Sequence, residues 1–336
     1  MRKYSLNKIL HKIQDFLLIN NIFVLSENFL TDILNNRSKK IDCLSLYMVN
    51  GYILTDSKIV FDYNLNEIEI KIDDEFMYRR KSYNNIVIFN NEKTLFFYDI
   101  LNGQLIKKID ISILKDMGAI YCFIDAKTIL LKNDFSKLFA YDYINNEILW
   151  QFNISDYFNA PSGVYQGRVL VVGDRLVFFA HTKDWKKGAT FVLDAQTGEV
   201  LNNPAQTIFG GKLFLFDGYI WQKKDKGFAK MNPNTFEVTH YDLSQELPTE
   251  IIDNKTMAYH DGVIAVSAKP QKGSIRSLVL LFDTKTEQII WRKEILHDEN
   301  KASTDANRRQ IEEIQMNEKY IAVSTSGYLL YVFEKE

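Results

Sequence analysis

Two cysteines, Cys43 and Cys122, are all that 336 residues contain. That is too few for a disulfide framework, and a reduced compartment is the expected home. A cysteine-based zinc site needs clustered ligands. The five histidines, His11, His181, His240, His260 and His297, are scattered and read as surface or strand-edge side chains. Proline is rare, with 5 residues, and no Pro/Gly/Ser-rich stretch marks a linker. No run of about 18 apolar residues is present, so no membrane helix is expected. Arg2 and Lys3 followed by Phe16-Leu17-Leu18-Ile19 make a poor export signal: Asn20 and Asn21 break it, and neither a small-residue cleavage site nor a nearby lipid-attachment cysteine follows. Cytoplasmic residence is the expectation.

Catalytic motifs are missing as well. There is no Gly-x-Ser-x-Gly elbow, no His-Glu-x-x-His, no Gly-x-x-x-x-Gly-Lys loop and no Gly-x-Gly-x-x-Gly after a strand. Glu312-Glu313 and Asp73-Asp74-Glu75 read as solvated carboxylates, although a pair assembled from different segments of the chain stays open. A net charge of −2 argues against a nucleic-acid-binding chain.

What the chain does have is 23 Phe, 18 Tyr and an apolar fraction of 46%, enough to fill a large core. It also has a repeat. Leu138-Phe139-Ala140-Tyr141-Asp142 is followed by a turn and Glu147-Ile148-Leu149-Trp150; Leu280-Leu281-Phe282-Asp283 is followed by a turn and Gln288-Ile289-Ile290-Trp291. Alignment on the aspartate gives Asp62, Asp99, Asp142, Asp194, Asn232, Asp283 and Glu334, at spacings of 37, 43, 52, 38, 51 and 51. Units of this length, each with four short strand-like runs, indicate β-propeller blades.

The fold expected is therefore all-β: a seven-bladed β-propeller of four-stranded blades over residues 41–336. Residues 1–40 would supply one short helix and a ring-closing strand. Leu6, Ile9, Leu10, Ile13 and Leu17 have helical spacing behind a Ser5 cap. The seventh blade, from Gln310, has only three strands. Asn21-Ile22-Phe23-Val24-Leu25 is the expected donor of the fourth, pairing with the strand through Tyr328 to Phe333.

Ala140-Tyr141-Asp142 … Trp150, Asp194-Ala195-Gln196-Thr197-Gly198 and Asp283 … Trp291 resemble the pyrroloquinoline-quinone-type propeller repeat, in which Ala-x-Asp-x-x-Thr-Gly-x-x-x-Trp closes each blade. The resemblance is degenerate. Ile70 and Lys107 stand where tryptophan would follow Asp62 and Asp99, and Asn232 replaces one aspartate. Enzymes of that family have eight blades, a calcium-dependent cofactor site and adjacent cysteines, so here the resemblance implies the fold without the cofactor. The motif itself is structural, an Asx turn and a large ring packing between blades.

Loops joining the second and third strands of a blade, and those leading to the next blade, emerge on one face. The long insertions fall in these classes and carry the expected partner-binding residues: Lys183, Trp185, Lys186 and Lys187, then Arg276, the interblade Tyr157 and Phe158, and Arg308 and Arg309. The resulting expectation is a non-catalytic, cytoplasmic, protein-binding propeller without cofactor or metal. Its most specific form is a bacterial immunity-type protein that neutralises a toxin domain with an acidic surface. The alternatives are a scaffold resembling the outer-membrane-assembly propeller, a nucleic-acid binder using the basic loop face, and an enzyme with a central-channel site.

Overall fold

The computed structural model describes residues 4–18, 21–26, 29–41, 43, 45–49, 52–55, 59–68, 78–91, 93–114, 119–133, 136–165, 168–204, 210–272, 275–295 and 310–336. It contains eight four-stranded antiparallel sheets, not seven. Blades 2, 3, 4, 6 and 7 occupy 46–68, 78–110, 119–153, 213–242 and 250–294 in simple chain order. Blade 8 takes three strands from 311–335. The unforeseen sheet is blade 1, within 13–40.

Blade 1 escapes the repeat alignment because its third strand, Phe29–Asp32, is four residues long and its outer strand, Arg37–Lys40, reads Arg-Ser-Lys-Lys with no apolar side chain. Its turn residue is Asp32, the copy missing from the alignment. From Asp32 to Asp283 each turn is built alike. The side-chain oxygen of Asp32, Asp62, Asp99, Asp142, Asp194, Asn232 or Asp283 accepts the backbone N–H two residues on, and in most blades a second one just beyond it. These short-range bonds satisfy the turn locally, which makes the aspartate legible as a motif.

The expected N-terminal helix is absent. Tyr4–His11 is the outer strand of blade 8, and Ile13–Leu18 is the inner strand of blade 1. Bulges between Leu6 and Lys8 and between Ile13 and Asp15, with a turn at Lys12 (φ 59°), break the two-residue alternation. Each bulge adds one residue, so the apolar positions fall three and four apart and imitate a helix face.

Closure likewise uses a different strand from the one expected. Tyr4 pairs with Lys335 and His11 with Leu329, whereas Ile22–Ser26 is the second strand of blade 1, with Ile22, Phe23, Val24 and Leu25 all buried. The ring is closed in its packing too. Eight apolar clusters each bridge neighbouring blades, including one between blades 8 and 1 built from Phe16, Ile22, Val24, Tyr320, Leu330 and Val332. An open row of eight sheets would have one interface fewer.

Blade 5 departs from the pattern. Its inner strand is split into Ser162–Val164 and Leu170–Val172, both paired with Arg175–Thr182, and Gly188–Asp194 follows. The outer edge is a short return in which the Asn202 side chain accepts from Val192 N–H at 2.9 Å and donates to the Thr190 carbonyl at 2.8 Å. One amide thus satisfies backbone groups that a full strand would pair. The single α-helix among the described residues, Ile154–Phe158, links blades 4 and 5.

Candidate functional site

The meander puts the loops between second and third strands, and the blade-to-blade connections, on one side of the disc. On this face blade 5 carries, among the described residues, an ordered hairpin and a split inner strand. Its hairpin at 182–187 is organised by Thr182: its carbonyl accepts from Trp185 N–H at 2.9 Å, its hydroxyl accepts from Lys187 N–H at 3.2 Å and donates to the Asp184 carboxylate at 2.6 Å. Lys183 N–H ties the loop to the Pro161 carbonyl at 2.9 Å. Trp185 (φ 60°) is turned back so that its ring stacks on His181, with centroids 3.7 Å apart and planes 17° apart; Tyr165 meets it edge-on at 5.7 Å. Despite this support the indole is 63% exposed.

Lys183, Lys186 and Lys187 surround Trp185 and are exposed. Lys186 lies 3.5 Å from Asp184, a solvent-facing pair of little energetic weight. Tyr157 is 42% exposed and reaches the same face, but Phe158 does not: it is buried in the core between blades 4 and 5, edge-on to Phe191. Arg276 is turned inward. It approaches Asp253 and Glu312, each at 3.5 Å, and donates to Gln310, so its charge is largely used within the fold. Arg308 and Arg309 lie outside the described residues. Of the expected residues that the structure describes, the hairpin lysines, Trp185 and Tyr157 are exposed, while Phe158 and Arg276 serve the scaffold.

A group that sequence reasoning missed lies at the inner edge of the same face. In blade 6, Leu213 pairs with Gln222 and Phe214 with Trp221. Lys212 and Lys223 stand one step beyond, cross-strand neighbours on the side that carries the Phe214 and Trp221 rings. Arg168, in the gap of blade 5's split inner strand, joins them. The cationic ends of Arg168, Lys212 and Lys223 lie 4.9, 5.3 and 5.1 Å from the Phe214 ring centroid. Lys223 donates to the Thr256 carbonyl of blade 7 at 2.8 Å. Burial pulls its ammonium down to about 7, helped by the positive Lys212 and Arg168 and opposed by Asp253. Burial also lowers Arg168. The signal available in the sequence was Lys212-x-Phe214 and Trp221-x-Lys223, lysines on the apolar phase of two alternating strands.

Carboxylates and thiols are less poised for chemistry. Asp15 on the inner strand of blade 1 is near Glu313 of blade 8, whose carboxyl is raised by partial desolvation, although its side chain keeps contact with solvent, and by Asp15. Asp15, however, already accepts from Phe16 N–H at 2.9 Å and Leu46 N–H at 2.7 Å. Burial pushes the Cys122 thiol up to about 12. Among the described residues no cluster of three His, Cys, Asp or Glu could hold a metal, and no helix is long and apolar enough to cross a membrane.

Fold and surface define an eight-bladed β-propeller with one ornate loop face. Neither a family model nor a curated protein sequence matches the chain. Solved structures do resemble it. The computationally designed Ika8 protein superposes with a TM-score of 0.59 at 13% identity over 96% of both chains. BamB from Moraxella catarrhalis gives 0.55 at 13% identity, covering 99% of this chain and 98% of that one. The C-terminal WD40 domain of Sif2 gives 0.59 at 10% identity over 98% of both. At such identities the likeness establishes the propeller alone.

Proposed function

We propose that this chain is a non-catalytic, cytoplasmic, protein-binding propeller whose partner docks on the loop-rich face around Trp185. The observation that carries the reading is the pre-ordered indole. A large aromatic surface is presented to solvent at 63% exposure on a loop held by backbone and side-chain hydrogen bonds and by the His181 stack. An anchor already fixed in place loses little entropy on binding, and tryptophan is prominent among residues that dominate interfaces. Lys183, Lys186 and Lys187 around it suit an acidic partner surface. Propellers such as WD40 domains commonly bind proteins, which agrees with this reading at the level of the fold.

In its specific form the partner is a toxin domain and the chain an immunity-type protein, with degenerate pyrroloquinoline-quinone-type repeats that serve the scaffold; the ring has that family's eight blades, but without the family's adjacent cysteines the reading keeps no quinone. The engaged state of Asp15 and the raised Cys122 thiol favour binding over catalysis. The test is capture of the partner from cell extract followed by hydrogen exchange on the complex. Protection over 181–188 is expected, with Trp185→Ala speeding dissociation by about 30-fold, corresponding to about 2 kcal/mol. Protection instead over the opposite turns at Asn102-Gly103, Asn145-Asn146 and Thr197-Gly198 overturns the docking face. Turnover of a small molecule by the purified chain overturns the non-catalytic reading, and failure of the captured protein to act as a toxin removes the immunity form.

A further inference from the structure

We propose that Arg168, Lys212 and Lys223, gathered around the Phe214 ring where the inner edges of blades 5, 6 and 7 meet, form a binding site for a small, doubly charged oxyanion of the phosphate class. The inference is independent of the docking face and stands or falls separately from it.

Three features carry it. First, Lys212 and Lys223 are cross-strand neighbours of like charge, an arrangement that destabilises a sheet, and blade 5 adds a third cation to the same ring. Among the described residues the nearby carboxylate is Asp253, and it is shared: Arg276 lies 3.5 Å and Lys269 3.9 Å from it. Positive charge is therefore concentrated at this ring. Second, Arg168 Nη1 is buried without a hydrogen-bond partner, a donor aimed nowhere within the described protein. A buried guanidinium N–H left unmet is costly, and an oxyanion meets it with a charge-assisted bond. Third, the aromatic base of the group is buried, Phe214 and Trp221 being 5% and 2% exposed, so a ligand would meet the cationic ends and not an apolar surface. Guanidinium and ammonium donors converging from separate strands are the usual recognition set for phosphate oxygens.

The charge state of Lys223 is linked to occupancy. Facing it are Lys212, Arg168 and Asp253, with the Thr256 carbonyl accepting one of its hydrogen bonds. A dianion beside this ammonium raises its affinity for protons, so binding takes up a proton when the pH is above about 7.

The experiment uses the full chain and two probes. Thermal unfolding is followed as inorganic phosphate is added, with sodium chloride at matched ionic strength as control, and sulfate affinity is measured by calorimetry at pH 6.5 and pH 9, conditions under which sulfate stays dianionic. The site predicts saturable stabilisation by phosphate beyond the chloride effect, and sulfate binding that weakens at the higher pH. Lys223→Met should lower affinity by about tenfold or more and remove the pH dependence. Arg168→Met provides a second variant and should lower affinity while keeping the pH dependence. No saturation by either anion, or equal responses in wild type and both variants, overturns the proposal.

Discussion

The indole of Trp150, on the outer strand of blade 4, lies flat against Gly198 in the turn of blade 5: a Cβ on that glycine would stand 2.6 Å from Trp150 Cε3. The indole N–H donates to the Ala195 carbonyl in the same turn at 3.0 Å. Trp291 packs in a similar way at the interface between blades 7 and 8, edge-on to Phe333 at 5.4 Å and to Tyr4 at 5.7 Å. The tryptophan of a repeat thus reads the turn or edge of the next, tying local motif to ring packing.

This contact predicts coupling. Trp150→Ala should cost about 3–5 kcal/mol through the cavity it leaves. Gly198→Ala, at φ 74° and against the ring, should cost more than about 1 kcal/mol. Because the alanine methyl has room once the indole is gone, the double variant should lose clearly less than the sum. Urea unfolding in a double-mutant cycle measures this, and simple additivity would show that the contact carries no energy. Iodide should quench Trp185 fluorescence readily while leaving Trp150 and Trp221 shielded, as their exposures of 63%, 8% and 2% require.

Ring closure rests on Tyr4–His11. Removal of residues 1–11 should leave Leu329–Lys335 with an unpaired edge and strip Tyr4 from Trp291. The truncated chain is expected to aggregate or to melt at a lower temperature. Light scattering and calorimetry decide it; an unchanged melting temperature and a monodisperse product would mean that the strand is dispensable.

Asp32 is the most buried of the turn aspartates, with no exposed surface. It accepts from Leu34 N–H, Asn35 N–H and the side chains of Asn21, Asn35 and Arg37. Asp32→Ala should destabilise by at least about 1–3 kcal/mol, more than the same change at the solvent-facing Asp283. Comparison of the two variants by chemical denaturation tests whether blade 1 is integral to the ring.

Lys223 sets a pH dependence with a definite sign. Its ammonium is pulled from 10.5 to about 7 on folding, so the unfolded chain holds the proton more tightly between these values. Stability from this group therefore rises as pH increases through that window, and the full cost is present below it. Between pH 7 and pH 9 the wild type should gain about 2 kcal/mol relative to Lys223→Met, which lacks the titrating group. Urea unfolding of both proteins at the two pH values gives the difference, and parallel pH profiles would place the Lys223 ammonium in water.

Of the loop face, Trp185 and its three lysines were legible because a long insertion between two strong strands has nowhere to go but the rim. Phe158 and Arg276 were not read correctly as surface groups. A short helix turns Phe158 onto Phe191, and Asp253 and Glu312, more than twenty residues from Arg276 in either direction, draw its side chain inward.

The sequence by itself determined the repeat, the propeller class, the Asx turns and the approximate limits of seven blades, because those features are made by bonds between residues a few positions apart. The number of blades, the strand that closes the ring and the cation cluster were decided by tertiary structure. Blade 1 has too little apolar alternation in its outer half to announce itself, and two bulges disguise its inner strand and the closing strand before it. Tyr4 meets Lys335, and Arg168 meets Lys223 over Phe214, only once the sheets are arranged in a circle. No local spacing encodes such pairings, since ring geometry sets the distance between the ends of the chain and between the inner edges of neighbouring blades.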